Sequence, residues 1–203
     1  MTKANSVVLA SGNAGKLREF ADLLRPLDMD VRPQSEWNVP SVPEDGATFV
    51  ENALIKARHA ARHTGLAAIA DDSGLVVPAL GGAPGVYSAR YAGEHGDAAA
   101  NNRKLLEAMA ELRGSARAAY FYCAIAWLES ESDPVPLVAC GRWDGAVAAA
   151  PRGDQGFGYD PLFEVPDRDM TAAELDPEEK ARLSHRGQAT RGLIGLLRAR
   201  HEG

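Results

Sequence analysis

The residues of this chain best suited to chemistry fall in a few short segments. Ser11-Gly12-Asn13-Ala14-Gly15-Lys16 sits between a strand-like run and a helical pattern. Glycine lets a backbone approach an anion closely, and free N–H groups at a helix start bind phosphate. Lys16 adds positive charge in the first turn. The spacing departs from a P-loop. Only Asn13 and Ala14 separate the two glycines, and Leu17 stands where Ser or Thr would hold magnesium. Alone, the segment also reads as a tight turn with a solvated lysine. Asp71-Asp72-Ser73-Gly74 is the next segment. Two carboxylates at a strand end are costly to leave uncompensated, which predicts a cation nearby. Magnesium takes one or two carboxylates and shares the phosphate oxygens of a substrate. Neighbouring strand residues face opposite ways, so the two aspartates are expected to do different jobs. Glu44, Asp45 and Glu51 are further acids for the same metal, each readable instead as a surface or capping residue.

Phe157-Gly158-Tyr159-Asp160 follows Gly153 and Gly156. An aromatic ring on a glycine loop can stack on a nucleobase, worth about 1–3 kcal/mol; the plainer reading is a core aromatic closing a loop. Lys180 and Ser184-His185-Arg186 gather donors just before and at a helix start. They suit a carbonyl or a phosphate, or simply a capped helix with solvated charges. His59 and His63 imitate a zinc pair four residues apart. The intervening Ala60-Ala61-Arg62 lacks the glutamate of the H-E-x-x-H motif, so a solvated helix face is expected.

The elements that must position these residues alternate in type. Ser6–Ala10 reads as a buried strand. Leu17, Phe20, Ala21 and Leu24 recur at helical spacing until Pro26, and 29–32 forms a second, edge strand. Thr48 with Glu51 predicts a capping box for a helix running to His63 or Thr64 and stopping at Gly65. Strand-like runs at 67–70 and 75–77 flank the acid pair. Leu80–Gly93 is too glycine-rich for a regular element, and 97–112 is an amphipathic helix. Residues 116–128 and 135–148 predict long antiparallel strands joined by 129–134. After the glycine loop at 151–160 come a short strand at 161–165, a helical turn opened by Pro177, and a last helix capped by Ser184 and running through Arg200. This order argues an α/β fold with a mixed sheet covered by helices.

Composition bounds the rest. The 203 residues, 45% of them hydrophobic, suffice for one large domain or two small lobes. A net charge of −6 argues against general nucleic-acid binding, because phosphate backbones need a basic face. It leaves open a small anion held by a local pocket or a metal. Cys123 and Cys140 each lie in an apolar run and read as buried reduced thiols, with a disulfide across the hairpin as the minor alternative. Met1-Thr2-Lys3-Ala4-Asn5 has no signal-peptide layout, and no run nears the about 18 apolar residues of a membrane span. A cytoplasmic protein without membrane partners is expected.

Taken in order, the segments resemble the inosine triphosphate pyrophosphatase family, the non-canonical purine nucleoside triphosphate pyrophosphatases, and within it the bacterial dITP/XTP branch. The resemblance runs from Val7 to about Ala189. It rests on Ser11-Gly12-Asn13 with Lys16, Phe49-Val50-Glu51-Asn52-Ala53, Ala70-Asp71-Asp72-Ser73-Gly74-Leu75, the stretch Gly81 to Arg90, Gly156 to Pro161, and Ser184-His185-Arg186-Gly187. It implies a two-lobed α/β fold on a long twisted mixed sheet, with substrate in a cleft between lobes, and a homodimer. It implies that Ser11, Gly12, Asn13, Ala14, Gly15 and Lys16 hold phosphates. Asp72 would accept a proton and bind Mg2+, with Glu44 as the less secure second metal ligand and Ser73 beside the substrate. Asp45 stands where close relatives often carry a glutamate. Phe157, Gly158, Tyr159, Asp160, Lys180, His185 and Arg186 would hold base and sugar. The implied reaction hydrolyses ITP, dITP or XTP to the monophosphate and pyrophosphate.

Buried donors that meet a 6-oxo group and are stranded by a 6-amino group would reject ATP. Rejecting GTP, which shares the 6-oxo group, needs a further exclusion near C2 that still admits the 2-oxo group of xanthine. Rival readings are a non-catalytic nucleotide-binding module, disfavoured by the acid pair; a P-loop kinase or GTPase, disfavoured by the Gly12–Leu17 spacing; and a dinucleotide oxidoreductase, disfavoured because the first turn is not G-x-G-x-x-G.

Overall fold

The computed structural model describes residues 5–93 and 96–202, so the reading of Met1 to Ala4 as a start without a leader lies outside the described residues. The strand β1 (Asn5–Leu9) buries Val7, Val8 and Leu9 completely. It pairs in parallel with β2 (Met29–Pro33) and with β3 (Ala67–Val76), Val7 standing opposite Val31 and Ala67. A strand flanked on both sides by parallel neighbours has to be apolar throughout, which is why this run does not alternate. The sheet order is β2-β1-β3-β4-β5-β6, with β4 at Ala118–Leu128, β5 at Leu137–Val147 and β6 at Phe163–Glu164. The pairing of β5 with β6 is antiparallel, so the sheet is mixed as expected.

The helices are α1 (Ala14–Leu24), α2 (Phe49–Thr64), α3 (Ala98–Ala108), α4 (Pro177–Leu183) and α5 (His185–Glu202). Local signals set most of their ends. Thr48 and Glu51 form the capping box of α2, and Gly65 ends it in the left-handed region. Asp97 caps α3 and Asp176 caps α4. None of the described helices is long and apolar enough to cross a membrane.

The structure departs from several expectations. β3 runs unbroken through Asp71-Asp72-Ser73-Gly74, which therefore lies inside a strand and not between two. α3 stops at Ala108 instead of reaching Leu112: the chain tightens into turns, Ala110 N donating to Glu107 O and Leu112 N to Met109 O, and Arg117 donates to the carbonyls of Met109 and Leu112 at 3.1 and 3.3 Å. The stretch after Leu80 is not wholly irregular: Gly85–Arg90 forms a 3-10 helix. Cys123 is buried but Cys140 is exposed, and the two form no disulfide. In β5 Ala139 and Gly141 face inward while Cys140 and Arg142 face outward, as the two-residue period demands.

The chain divides into two compact units. One comprises Met1–Asp72, Ala124–Cys140 and Ala189–Gly203; the other comprises Ser73–Cys123 and Gly141–Gln188. In the first, α1 packs on β2 and α2 on β1, around Phe20, Leu24, Ala53, Ala57, Ala60 and Ile69. In the second, Leu75, Leu105, Met109, Phe121, Leu162, Phe163 and Leu175 share one core.

Candidate active site

In the first unit, the two strand aspartates do point to different partners. Asp71 is buried, and both its oxygens accept from Lys16 Nζ at 2.8 Å. Asp72 accepts from Asn52 Nδ2 at 3.2 Å and from Lys56 Nζ at 3.1 Å. Lys16 comes from α1, and Asn52 and Lys56 come from α2. Lys56 Nζ also donates to Glu44 at 2.8 Å, so a single ammonium bridges the two carboxylates assigned to metal. Asn52, fully buried, ties the preceding loop to the same point, since its Oδ1 accepts from Gly46 N at 2.9 Å. Asp45 is exposed, and Glu51 is occupied in the cap of α2.

The charges here are strongly coupled. Burial pushes the Asp72 carboxyl above the ordinary aspartate value; Lys56 and Asn52 pull it back incompletely, and Glu44 adds to the rise. Burial works against the Lys56 cation, but Asp72 and Glu44 outweigh it and hold its pKa above that of a free lysine. The Lys56 ammonium thus stands between two acids.

An all-oxygen pair of this kind suits magnesium, which fills its remaining positions with phosphate oxygens and water. Among the described residues no group of three or more His, Cys, Asp or Glu is placed to hold a metal unaided. Asp72 and Glu44 alone would leave most positions of such an ion to other oxygens. The histidine pair is no ligand set: His59 Nε2 hydrogen-bonds Pro40 O, and His63 Nδ1 hydrogen-bonds His59 O.

The Ser11–Lys16 turn is more committed than its sequence suggests. Asn13 Oδ1 accepts from the N–H groups of Gly15 and Lys16 at 2.8 and 3.2 Å, and Ser11 Oγ accepts from Asn13 N. Asn13 is thereby the N-cap of α1. A phosphate would have to displace that cap, or use Gly12 and the Lys16 side chain beside it. Of Ala14 only the backbone, the first residue of α1, is described.

In the second unit, a pocket of about 290 Å³ gathers the late sequence motifs. Ser73, Phe157, Gly158, Tyr159, Asp160, Lys180, His185 and Arg186 all line it. Phe157 is 60% exposed, with Lys180 Nζ at 5.5 Å and Arg186 Cζ at 5.4 Å from its ring centroid. An exposed aromatic face beside two cations is suited to stack on an electron-poor or carbonyl-rich ring. Asp160 is buried and accepts from Phe157 N at 2.7 Å and from Lys180 Nζ at 2.6 Å. Arg186 donates to Ser73 Oγ at 3.2 Å. His185 stacks on Phe121, centroids 4.7 Å apart and planes 14° from parallel. Tyr159 turns its ring into the core and donates its hydroxyl to Ser88 O at 2.9 Å; burial raises that hydroxyl well above its ordinary range. Tyr159 is therefore part of the pocket wall, with its hydroxyl already committed.

The sequence motifs include Asn52 and Ser88 without a role for either, and leave out Lys56, Asn101 and Phe121. For Asn52 and Lys56 a signal existed. They are four apart on α2, the spacing that stacks side chains on one helix face, amid small apolar residues. The others are recognisable only once the loops are folded together.

The chain matches known proteins over nearly its whole length. The Ham1 family model matches residues 7–196. The dITP/XTP pyrophosphatase of Thioalkalivibrio sulfidiphilus is 55% identical over 194 residues, spanning 96% of this chain and 99% of its own. That of Xanthomonas campestris is 57% identical over 193 residues, spanning 95% and 97%. The solved structure of a HAM1 protein from Coxiella burnetii superposes with a TM-score of 0.91 at 54% identity, covering 96% of this chain and 98% of that one. The Staphylococcus aureus Ham1 protein gives 0.88 at 40% identity, covering 96% and 99%. With a family match over nearly its whole length, relatives above half identity and the same mixed sheet flanked by helices, the chain belongs to the Ham1 family.

Proposed function

We propose that this protein hydrolyses non-canonical purine nucleoside triphosphates, ITP, dITP and XTP, to the monophosphate and pyrophosphate, and so cleans the nucleotide pool. The observation that carries the reading is a chain adjacency. Asp72 closes the acid–lysine constellation, and Ser73, the next residue, is bound by Arg186 in the pocket that holds the exposed Phe157 ring. In this reading the proposed proton acceptor is one peptide bond from a residue that lines the Phe157 pocket. The names of the relatives above point the same way.

In this reading Phe157 stacks on the purine, while Lys180, His185 and Arg186 offer donors to its 6-oxo group and to the sugar. Lys16 and Lys56 meet the phosphates. Water attacks at the link between the α- and β-phosphates, the bridging P–O bond breaks, pyrophosphate leaves, and Asp72 takes the proton of the attacking water. Asp72 and Glu44 would hold magnesium, which neutralises phosphate charge and stabilises the leaving pyrophosphate. A carboxylate whose proton affinity is raised by burial is suited to the acceptor role. We place the protein in the cytoplasm as a homodimer.

The test is pyrophosphate release from ITP, XTP, GTP and ATP, each with and without magnesium. Fast, magnesium-dependent release from ITP and XTP with slow release from GTP and ATP is expected. Equal rates on all four would remove the selectivity, and release independent of magnesium would remove the metal.

A further inference from the structure

The Phe157 ring is too exposed to be oriented by packing. Its backbone has to orient it, and that backbone is unusual. Gly156 and Gly158, on either side, both lie in the left-handed region, at φ 79° and 62°. Such a turn holds one shape only if its polar groups are tied down. Asp160 ties one end, accepting from Phe157 N. The carbonyl of Gly158 is tied from outside the loop, by Asn102 Nδ2 on α3 at 3.0 Å.

The same helix turn serves a second wall. Asn101, buried, accepts from Ala92 N at 2.7 Å and donates to Ala89 O at 3.3 Å. Ala89 and Asn101 both line the pocket. Tyr159 joins the two walls directly through Ser88 O. Two consecutive asparagines on α3 therefore grip two loops that both line the pocket. Asn101 is buried within its wall, whereas Asn102 bonds next to the ring that does the stacking.

We infer that Asn102 is a positioning residue for the base: by holding the Gly158 carbonyl it fixes the backbone turn from which the Phe157 ring projects. The inference rests on the proposed purine site and deepens it. Asn102 touches no substrate in this account, so its effect must pass through Phe157. Loss of a stacked base changes affinity about 5- to 150-fold, and misaiming the ring should cost part of that.

The experiment is a double-mutant cycle in the full-length protein, with ITP as substrate and inosine monophosphate and pyrophosphate as inhibitors. Asn102→Ala is expected to raise KM for ITP and the inhibition constant of inosine monophosphate about tenfold. kcat should stay within about twofold and pyrophosphate inhibition should not change. Asn102→Asp keeps the size but turns an acceptor toward the carbonyl, and should behave the same way. In a Phe157→Ala background, Asn102→Ala should add nothing. Full additivity with Phe157→Ala, an equal weakening of pyrophosphate, or unchanged constants in both Asn102 variants would each overturn the inference. Melting temperatures show which variants are folded, and Asn102→Asp carries the test if Asn102→Ala is not. A wild type that neither hydrolyses ITP nor binds inosine monophosphate overturns the purine site and this inference together. A wild type that does both, with silent Asn102 variants, overturns the inference alone.

Discussion

Lys16 Nζ lies 2.8 Å from both carboxylate oxygens of Asp71, joining α1 to β3 across 55 residues of sequence. The Asp71 side chain is 1% exposed and that of Lys16 20%. Removing the lysine leaves an almost fully buried carboxylate without its cation, a loss of about 3 kcal/mol. Lys16→Met should therefore be both inactive and unstable in urea unfolding. Lys16→Met combined with Asp71→Asn should regain most of the stability and none of the pyrophosphate release. A double variant as unstable as Lys16→Met would show that the pair does not bind as drawn.

The bridge made by Lys56 gives a second pair of expectations. Asp72→Asn preserves shape and still offers an oxygen to Lys56, so the melting temperature should hold while turnover falls about 10²–10⁴-fold. Near-normal turnover would remove Asp72 from the acceptor role. Lys56→Met leaves Glu44 and Asp72 without their shared cation. Magnesium should then raise the melting temperature of Lys56→Met more than that of the wild type, by taking the place of the ammonium. An equal response in both proteins would show that these acids do not attract the ion.

How much of this was legible in the sequence depended on distance along the chain. The ends of α2 are read from Thr48, Glu51 and Gly65, each acting on its immediate neighbours. The unbroken course of β3 is not, because the buried Asp71 inside the strand is paired with Lys16, far away in sequence. For the same reason the Ser11–Lys16 turn looked like an open phosphate cradle: the sequence shows two glycines and a lysine, but not that Asn13 already caps the turn. The late motifs, expected to hold base and sugar, line one pocket; their chemistry, an aromatic ring on glycines and a basic cluster, is carried by residue type. Asn101 and Asn102 look like the polar face of any surface helix until the loops they hold are seen.

Gly156 allows a test of the pocket wall that removes no polar group. A Cβ there would stand 2.3 Å from Asp160 Oδ2 and 2.6 Å from Lys180 Nζ, at a φ of 79° that L-residues avoid. Gly156→Ala must push apart the Asp160–Lys180 pair that also holds Phe157 N. A strained backbone of this kind costs about 1 kcal/mol or more. The expected result is a modest drop in melting temperature with a rise of about tenfold or more in KM for ITP. A variant with wild-type KM would show that the ion pair does not shape the base site.

The turn between β4 and β5 makes the pH dependence of stability specific. Asp133 is buried, and its two oxygens accept from Glu129 N at 3.0 Å and Val135 N at 2.8 Å. Burial alone would raise its pKa, but those two donors, with Arg200 and Arg58 nearby, outweigh it and hold the carboxyl below the ordinary aspartate value. A folded-state pKa depressed in this way contributes stability that is complete above the unfolded value, about 4, and that drains away as pH falls through the folded value. Protonation therefore favours the unfolded chain only on the acid side. Asp133→Ala strands two backbone N–H groups and should cost about 2 kcal/mol near neutral pH. Measured by urea unfolding from pH 7 down to about pH 3, the gap between wild type and variant should narrow on the acid side, because the wild type loses there what the variant lacks already. A gap that stays constant with pH would mean that the carboxylate charge, as distinct from its shape, contributes nothing to this turn.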